Sequence, residues 1–142
     1  MVKHLFLASL MMASISHANA EDLAAHLAEQ GGANAVVIRE SKDIWSVIAS
    51  INPENFVTVH KYVDTGVYGI QHYEYVVNCQ KNKIAMAKFA EIKNPAVAQI
   101  EINTISTELK TLSFYSPKLN FDRNVVKLGC ATRIALAGKD IK

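Results

Sequence analysis

The sequence lacks the features of several large classes of protein. Its 142 residues carry 15 Lys and Arg against 13 Asp and Glu, and no two basic residues are adjacent. A net charge of +2 spread in this way is too small for a dedicated nucleic-acid binder. The chain contains neither a Gly-x-Ser-x-Gly elbow nor a glycine-rich phosphate loop, and nothing in it predicts a cofactor. Half of the residues are apolar and a fifth are charged, which is typical of a folded globular domain.

The beginning of the chain has the pattern of a secretory signal peptide. A short basic start precedes an apolar run over Leu5–Ile15, and Ala18 and Ala20 occupy the positions that signal peptidase prefers. The apolar run is too short to cross a membrane as a helix, which takes about 20 residues. The segment also contains no cysteine for a lipid anchor. We therefore predict a signal peptide over 1–20 and one domain over 21–142, without a transmembrane segment.

The two cysteines, Cys79 and Cys130, are 51 positions apart. In an exported protein an even number of cysteines suggests a disulfide, and two allow only one intramolecular pairing. Closing so long a loop contributes about 4 kcal/mol in the chain-entropy model. The spacing is not that of a redox motif, and the further ligands of a zinc site are missing. We predict a structural disulfide, with two free buried thiols as the alternative.

A hydrophobic period of two dominates the middle of the chain. It predicts strands over 35–39, 43–51, 56–63, 68–79, 83–92, 96–102 and 109–115. Asp64-Thr65-Gly66 is typical of a hairpin turn between two of these strands.

Helical patterns lie at both ends of the predicted domain. Residues 21–30 form a short helix ended by two glycines, and a longer one begins at Asn120 or Asp122 and ends near Gly138. One face of the longer helix carries Val126, Cys130, Ile134 and Ala137. The predicted fold is α+β: an antiparallel sheet of about five to seven strands packed against the C-terminal helix, with one disulfide between them.

Two motifs admit both a chemical and a structural interpretation. Asp64-Thr65-Gly66 is the triplet of aspartic proteases, in which two subunits would each supply one carboxylate, but Asp and Gly also suit the turn. His60 and His72 flank that turn at similar distances. In some hairpin registers they would lie opposite each other and could hold a metal or a haem edge. Two surface histidines are the commoner outcome of such a spacing, and we expect them here.

Aromatic and basic side chains surround the first cysteine. Tyr73 and Tyr75 precede it on one strand face, and Lys81, Lys83 and Lys88 follow it. Such side chains on exposed strands offer contact area and charge steering for a partner. We predict that these five residues bind a ligand. The alternatives are a solvated lysine face and tyrosines that belong to the core.

The stretch His72–Cys79 resembles the strand end of the surface-adhesin protein E family of Gram-negative bacteria. In that family a second cysteine follows about fifty residues later, in a C-terminal helix after a Thr-Leu-Ser strand and a proline. Here Thr111–Ser113, Pro117 and Cys130 match in order, and the resemblance extends over about 44–137. It implies a small antiparallel sheet joined to a helix by a disulfide. It also implies an adhesin that binds host matrix and plasma proteins, with haem binding known in the family.

These observations predict an exported, non-catalytic binding protein of the Gram-negative envelope, located in the periplasm or at the cell surface. Its expected partner is a protein of the host extracellular matrix or of the envelope. One alternative is a periplasmic inhibitor of a host hydrolase such as lysozyme, although the Tyr-x-Cys-x-x-Gly box of such inhibitors is absent. A second alternative is a dimeric aspartic protease that acts through Asp64.

Overall fold

Helices and strands follow one another along the chain in the structure, a computed structural model that describes residues 19–51, 55–92 and 109–140. The helices are α1 (Ala20–Gly31) and α2 (Asn120–Asp140), and the strands are β1 (Ala35–Ser41), β2 (Ile44–Ile51), β3 (Phe56–Asp64), β4 (Ile70–Asn78) and β5 (Lys83–Ile92). Short 3-10 turns span Gly32–Asn34, Gly66–Tyr68 and Leu109–Thr111.

The strands form one sheet in the order β1-β2-β3-β4-β5, and every neighbouring pair is antiparallel. Each strand therefore pairs with the strand that follows it in sequence, as expected where short turns connect the elements. The predicted α+β class is confirmed, since the structure has an antiparallel sheet of five strands, a C-terminal helix and a Cys79–Cys130 disulfide.

The two helices pack on opposite faces of the sheet. The face under α1 holds one hydrophobic cluster, formed by Ala20, Leu23, Ala24, Leu27, Val47, Ala49, Tyr62 and Ile70. The face under α2 holds the other, formed by Ile48, Val57, Val59, Tyr75, Val77, Ile84, Val125 and Val126. Successive side chains of a strand point to opposite faces, so the central strand β3 is buried on both sides.

Helix α1 begins at a complete capping box. The Asn19 side chain accepts a hydrogen bond from the Asp22 backbone N–H at 3.0 Å, and the Asn19 N–H donates to the Asp22 carboxylate at 3.1 Å. Ala20, the first residue of the helix, is 2% exposed and belongs to the core. The predicted cleavage after Ala20 therefore falls within the first turn of α1. That cleavage and the boundary between leader and domain stay predictions.

The disulfide joins the end of the fourth strand to the middle of α2. Cys79 directly follows β4, and its Cα lies 5.6 Å from that of Cys130. Both cysteines pack against the cluster beneath α2. Because α2 is separated from β5 by a long stretch of chain, the disulfide fixes the helix on the sheet where sequence neighbours cannot.

The strand predicted over 109–115 is wrong. Leu109–Thr111 forms a 3-10 turn, because the Leu112 N–H bonds back to the Leu109 carbonyl at 3.4 Å. Tyr115 forms a single antiparallel bridge, exchanging hydrogen bonds of 2.9 and 3.0 Å with Ile84 of β5. The strand predicted over 96–102 lies outside the described residues.

Candidate functional site

The strand register separates the predicted ligand-binding residues between the two faces of the sheet. Tyr73 of β4 lies opposite Phe89 of β5, whereas Glu74 lies opposite Lys88. Tyr73 and Tyr75 therefore face α2, and Lys88 belongs to the face that carries His72. The tyrosines and Lys88 do not form one surface.

Four aromatic rings meet on the α2 side of β4 and β5. The Tyr73 ring centroid lies 4.9 Å from that of Phe89, 6.1 Å from that of Phe121 and 6.3 Å from that of Tyr75. These separations are typical of tilted and stacked aromatic pairs. Tyr75 is 2% exposed and belongs to the core, whereas Phe89 and Phe121 are 46% and 44% exposed. The buried tyrosine thus supports an outer layer of rings that faces solvent.

Further exposed apolar side chains extend this outer layer. Met86 lies opposite Tyr75 in the register, next to a bulge in β5, and is 47% exposed. Tyr115 is bridged to Ile84 and is 40% exposed, and Leu119 precedes α2 at 68% exposed. We define the aromatic face as the partly or largely exposed side chains Tyr73, Met86, Phe89, Tyr115, Leu119 and Phe121. Exposed apolar side chains gathered on one side of a sheet in this way are typical of interaction sites.

An ion pair between a buried lysine and a partly exposed glutamate lies beneath the aromatic face. Lys61 of β3 is 4% exposed and pairs with the Glu40 carboxylate, which also accepts a hydrogen bond from the Ser46 hydroxyl. The Lys61 ammonium lies 5.5 Å from the centroid of the Phe121 ring. A cation at this distance attracts the aromatic ring, so Lys61 helps to hold Phe121 in place.

Basic side chains lie along the segment that leads into α2. Lys83 donates a hydrogen bond to the Ser116 hydroxyl at 2.8 Å, and Arg123 donates to the Pro117 carbonyl at 3.3 Å. Lys118, which lies between Pro117 and Arg123 in the sequence, is exposed. Lys81 is exposed in the β4–β5 turn, where its backbone N–H bonds to the Asn78 side chain. Lys81 and Lys83 therefore lie at the end of β5 where Tyr115 is bridged. Because Lys83 pairs with Asn78 in the register, its side chain belongs to the face that carries Lys88, opposite the aromatic face.

Asp122 is the acidic residue closest to this segment in sequence, but its carboxylate is turned inward. It is 7% exposed and hydrogen-bonded to the Tyr115 side chain. Burial and the Asp122 carboxylate raise the pKa of Tyr115, so the phenol keeps its proton and donates a hydrogen bond to the carboxylate. The Asp122 carboxylate is therefore engaged in a contact within the fold.

The two histidines form a buried pair, which corrects the expectation of two surface histidines. His60 and His72 are both 0% exposed, and His60 Nδ1 lies 3.1 Å from His72 Nε2. They are not directly opposite, since His60 pairs with Glu74 and His72 with Tyr62. The second ring nitrogens, His60 Nε2 and His72 Nδ1, have no hydrogen-bond partner within the described structure.

The surroundings determine the protonation of this pair. His60 Nε2 lies 3.6 Å from the Glu74 carboxylate, so the favourable tautomer carries its proton there and accepts from His72 Nε2–H at Nδ1. Burial lowers the pKa of His60 to about 3, and the positive charges of His72 and Lys88 add to the effect. Burial and Lys88 lower the pKa of His72 to about 4. Both imidazoles are therefore neutral at pH 7.

Neither the histidines nor Asp64 forms a recognisable chemical centre. Among residues 19–51, 55–92 and 109–140, no three His, Cys, Asp or Glu side chains are grouped closely enough to hold a metal ion. The Asp64 carboxylate accepts a hydrogen bond from the Gly66 N–H at 2.9 Å, which is the contact of a turn residue. Gly66 has a φ of 72°, which explains why glycine occupies this place in the turn.

The tip of the β3–β4 hairpin is a second exposed feature, at the opposite end of the sheet from Lys81. Val67 is 98% exposed and Tyr68 is 79% exposed. Together with Thr65, Gly69, Gln71 and Glu91 they line a shallow cleft. The polar groups of this lining are the Glu91 carboxylate, the Gln71 amide and the hydroxyl groups of Thr65 and Tyr68.

No known protein family, curated protein or solved structure matches this chain. No helix in the described part of the chain has the length and apolar content needed to cross a membrane. The aromatic face, with the basic side chains beside it, is thus the candidate site that the geometry itself defines.

Proposed function

We propose that the chain is an exported, non-catalytic binding protein of the Gram-negative envelope, adhesin-like, with a host matrix or plasma protein as its partner. The signal-peptide pattern and the resemblance to the surface-adhesin protein E family support the compartment and the class. A disulfide suits an oxidising compartment. A protein with this function needs a stable scaffold with a contact surface, and the chain offers both.

The aromatic face is the observation that carries the proposal. Its side chains stay 40% to 68% exposed at Met86, Phe89, Tyr115, Leu119 and Phe121, although the protein has two hydrophobic clusters in which apolar groups are buried. Aromatic residues and methionine are enriched at protein interfaces. Ordered rings of this kind make contact at a small cost in conformational entropy.

Binding of the folded, oxidised protein to a panel of immobilised matrix and plasma proteins tests the proposal. The double variant Met86→Ser/Phe89→Ser removes two exposed apolar groups from the aromatic face. Val67→Ser/Tyr68→Ser removes two from the hairpin tip and is the matched control. We expect saturable binding that falls by about tenfold or more in the first variant and is unchanged in the second.

Absence of saturable binding to every member of the panel would overturn the proposed function. Equal losses in the two variants, or a loss confined to the tip variant, would move the site away from the aromatic face. A peptidase activity that disappears in Asp64→Asn would instead establish the protease alternative.

A further inference from the structure

We propose that the aromatic face recognises an acidic, apolar segment of its protein partner. This inference rests on the proposed binding function and adds the chemistry of the ligand. The face combines two properties that such a segment would match, an ordered apolar surface and a basic margin.

The apolar surface is held in place from below. Tyr73 contacts both Phe89 and Phe121, and the Phe121 ring also lies over the buried Lys61 ammonium. A ligand that packs on these rings therefore loses little free energy to ordering them. Bulky apolar side chains of the partner are the groups that this surface would accept.

The margin next to α2 is basic. Arg123 is held by a hydrogen bond to the Pro117 carbonyl, and Lys118 directly follows Pro117 in the chain and is exposed. Asp122 is buried against Tyr115, so its carboxylate is not available for direct contact with basic groups of a partner. The positive charges would meet carboxylates of the partner, speed association and disfavour basic ligands.

Glu91 limits the basic region towards the other end of β5, where it lies opposite Gln71. The positive margin is therefore confined to the end of the face that contains Tyr115 and Leu119. An acidic, apolar segment would place its carboxylates at this end and its apolar side chains over Phe89 and Met86. This polarity predicts one orientation of the bound segment.

Two synthetic peptides test the inference on the whole folded protein. Both carry the same Phe and Leu residues with serine spacers, and the charged positions are Glu in one and Lys in the other. Fluorescence anisotropy of labelled peptide gives the affinity. We expect the acidic peptide to bind about tenfold or more tightly than the basic one, and added salt to reduce this difference.

Variants of the protein show which side chains contact the peptides. Lys118→Gln/Arg123→Gln should weaken binding of the acidic peptide by about tenfold or more and leave binding of the basic peptide unchanged or slightly stronger. Lys42→Gln, an exposed lysine in the β1–β2 turn, is the charge control and should change neither affinity. Met86→Ser/Phe89→Ser should weaken both peptides. If the double variant of Lys118 and Arg123 does not fold, the peptide comparison and its salt dependence on the unmodified protein still test the preference for an acidic ligand.

Equal affinity for the two peptides, or tighter binding of the basic one, would overturn the inference. So would binding to phosphatidylglycerol vesicles that exceeds binding to the acidic peptide, since the ligand would then be a lipid surface. If a matrix protein binds through Met86 and Phe89 but neither peptide binds, the ligand chemistry is wrong and the proposed function stands. If no panel protein binds either, both fail.

Discussion

Gly129 of α2 approaches Val59 of β3 so closely that a Cβ placed on the glycine would lie 2.9 Å from Val59 Cγ2 and 3.1 Å from Val57 Cγ2. Contacts below 3.0 Å between carbon atoms are repulsive, and the valine methyl groups are buried in the middle of the sheet. The glycine thus allows the helix to lie close to the sheet at the position next to Cys130.

The substitution Gly129→Ala should therefore destabilise the protein. Alanine favours a helix by about 1 kcal/mol over glycine, but overpacking a core typically costs about 1–3 kcal/mol. We expect a net loss of stability, measured as a lower urea midpoint at an unchanged m-value. In the background Val59→Ala the same change should cost less or become stabilising. An equal loss in both backgrounds would contradict the contact.

Acid should destabilise the fold through His60 and His72. Their pKa values in the folded protein, about 3 and about 4, lie below the ordinary value of 6.5, so the unfolded chain takes up protons first. Stability should be full above about pH 6.5 and fall as the pH is lowered towards 4. Each histidine contributes a slope of about 1 kcal/mol per pH unit within this range.

Urea unfolding from about pH 7.5 to about pH 4.5 measures this dependence. His26, which is exposed on α1, provides the control, because His26→Gln should leave the slope unchanged. NMR titration of the imidazole protons gives the individual pKa values. Values near the ordinary 6.5 for both His60 and His72 would contradict the buried pair.

Removal of the disulfide by Cys79→Ala/Cys130→Ala should cost about 2–5 kcal/mol. The double variant should also loosen α2 more than the sheet, because the strands stay connected by short turns. Hydrogen exchange compares the two parts directly. Thiol labelling of the unfolded, unreduced protein should find no free thiol, and two reactive thiols would refute the bond.

The capping box predicts that a chain beginning at Asn19 is more stable than one beginning at Glu21. The shorter chain loses the Asn19 cap and the buried Ala20 methyl group, and an N-cap alone contributes about 1 kcal/mol. Asn19→Ala in the longer chain isolates the contribution of the cap. Equal thermal midpoints of the two chains would show that these contacts add nothing to stability. Intact-mass measurement of the exported protein independently locates the cleavage.

The parts of the fold that follow a simple period could be predicted from the sequence. Alternation over 44–51 and 56–63 identified β2 and β3, and the three- to four-residue spacing of Val126 and Cys130 identified α2. The cysteines were paired by count alone. The period of two does not show how many faces of the sheet are buried. The packing of α1 depends on contacts between residues that are distant in sequence. That packing is why His60 and His72 are in the interior.

The aromatic face was only partly predictable. Tyr73 was recognised from its strand, but Phe89 and Met86 are three residues apart on one face because β5 has a bulge between them, which breaks the period of two. Leu119 and Phe121 reach the same surface through the tertiary position of α2. Lys88 lies on the opposite face from Tyr73 because of the same bulge, which the sequence does not show.

The sheet order has a consequence for how the protein is assembled. If the chain is exported from its N-terminus, as proposed above, each of the strands β2 to β5 emerges after a strand with which it pairs. Helix α1 can then pack on its face of the sheet early, whereas α2 and its residue Cys130 reach the opposite face only after all five strands. An oxidising enzyme that reaches Cys79 before Cys130 has emerged would find no second thiol in the chain. The disulfide would therefore form after all five strands have emerged.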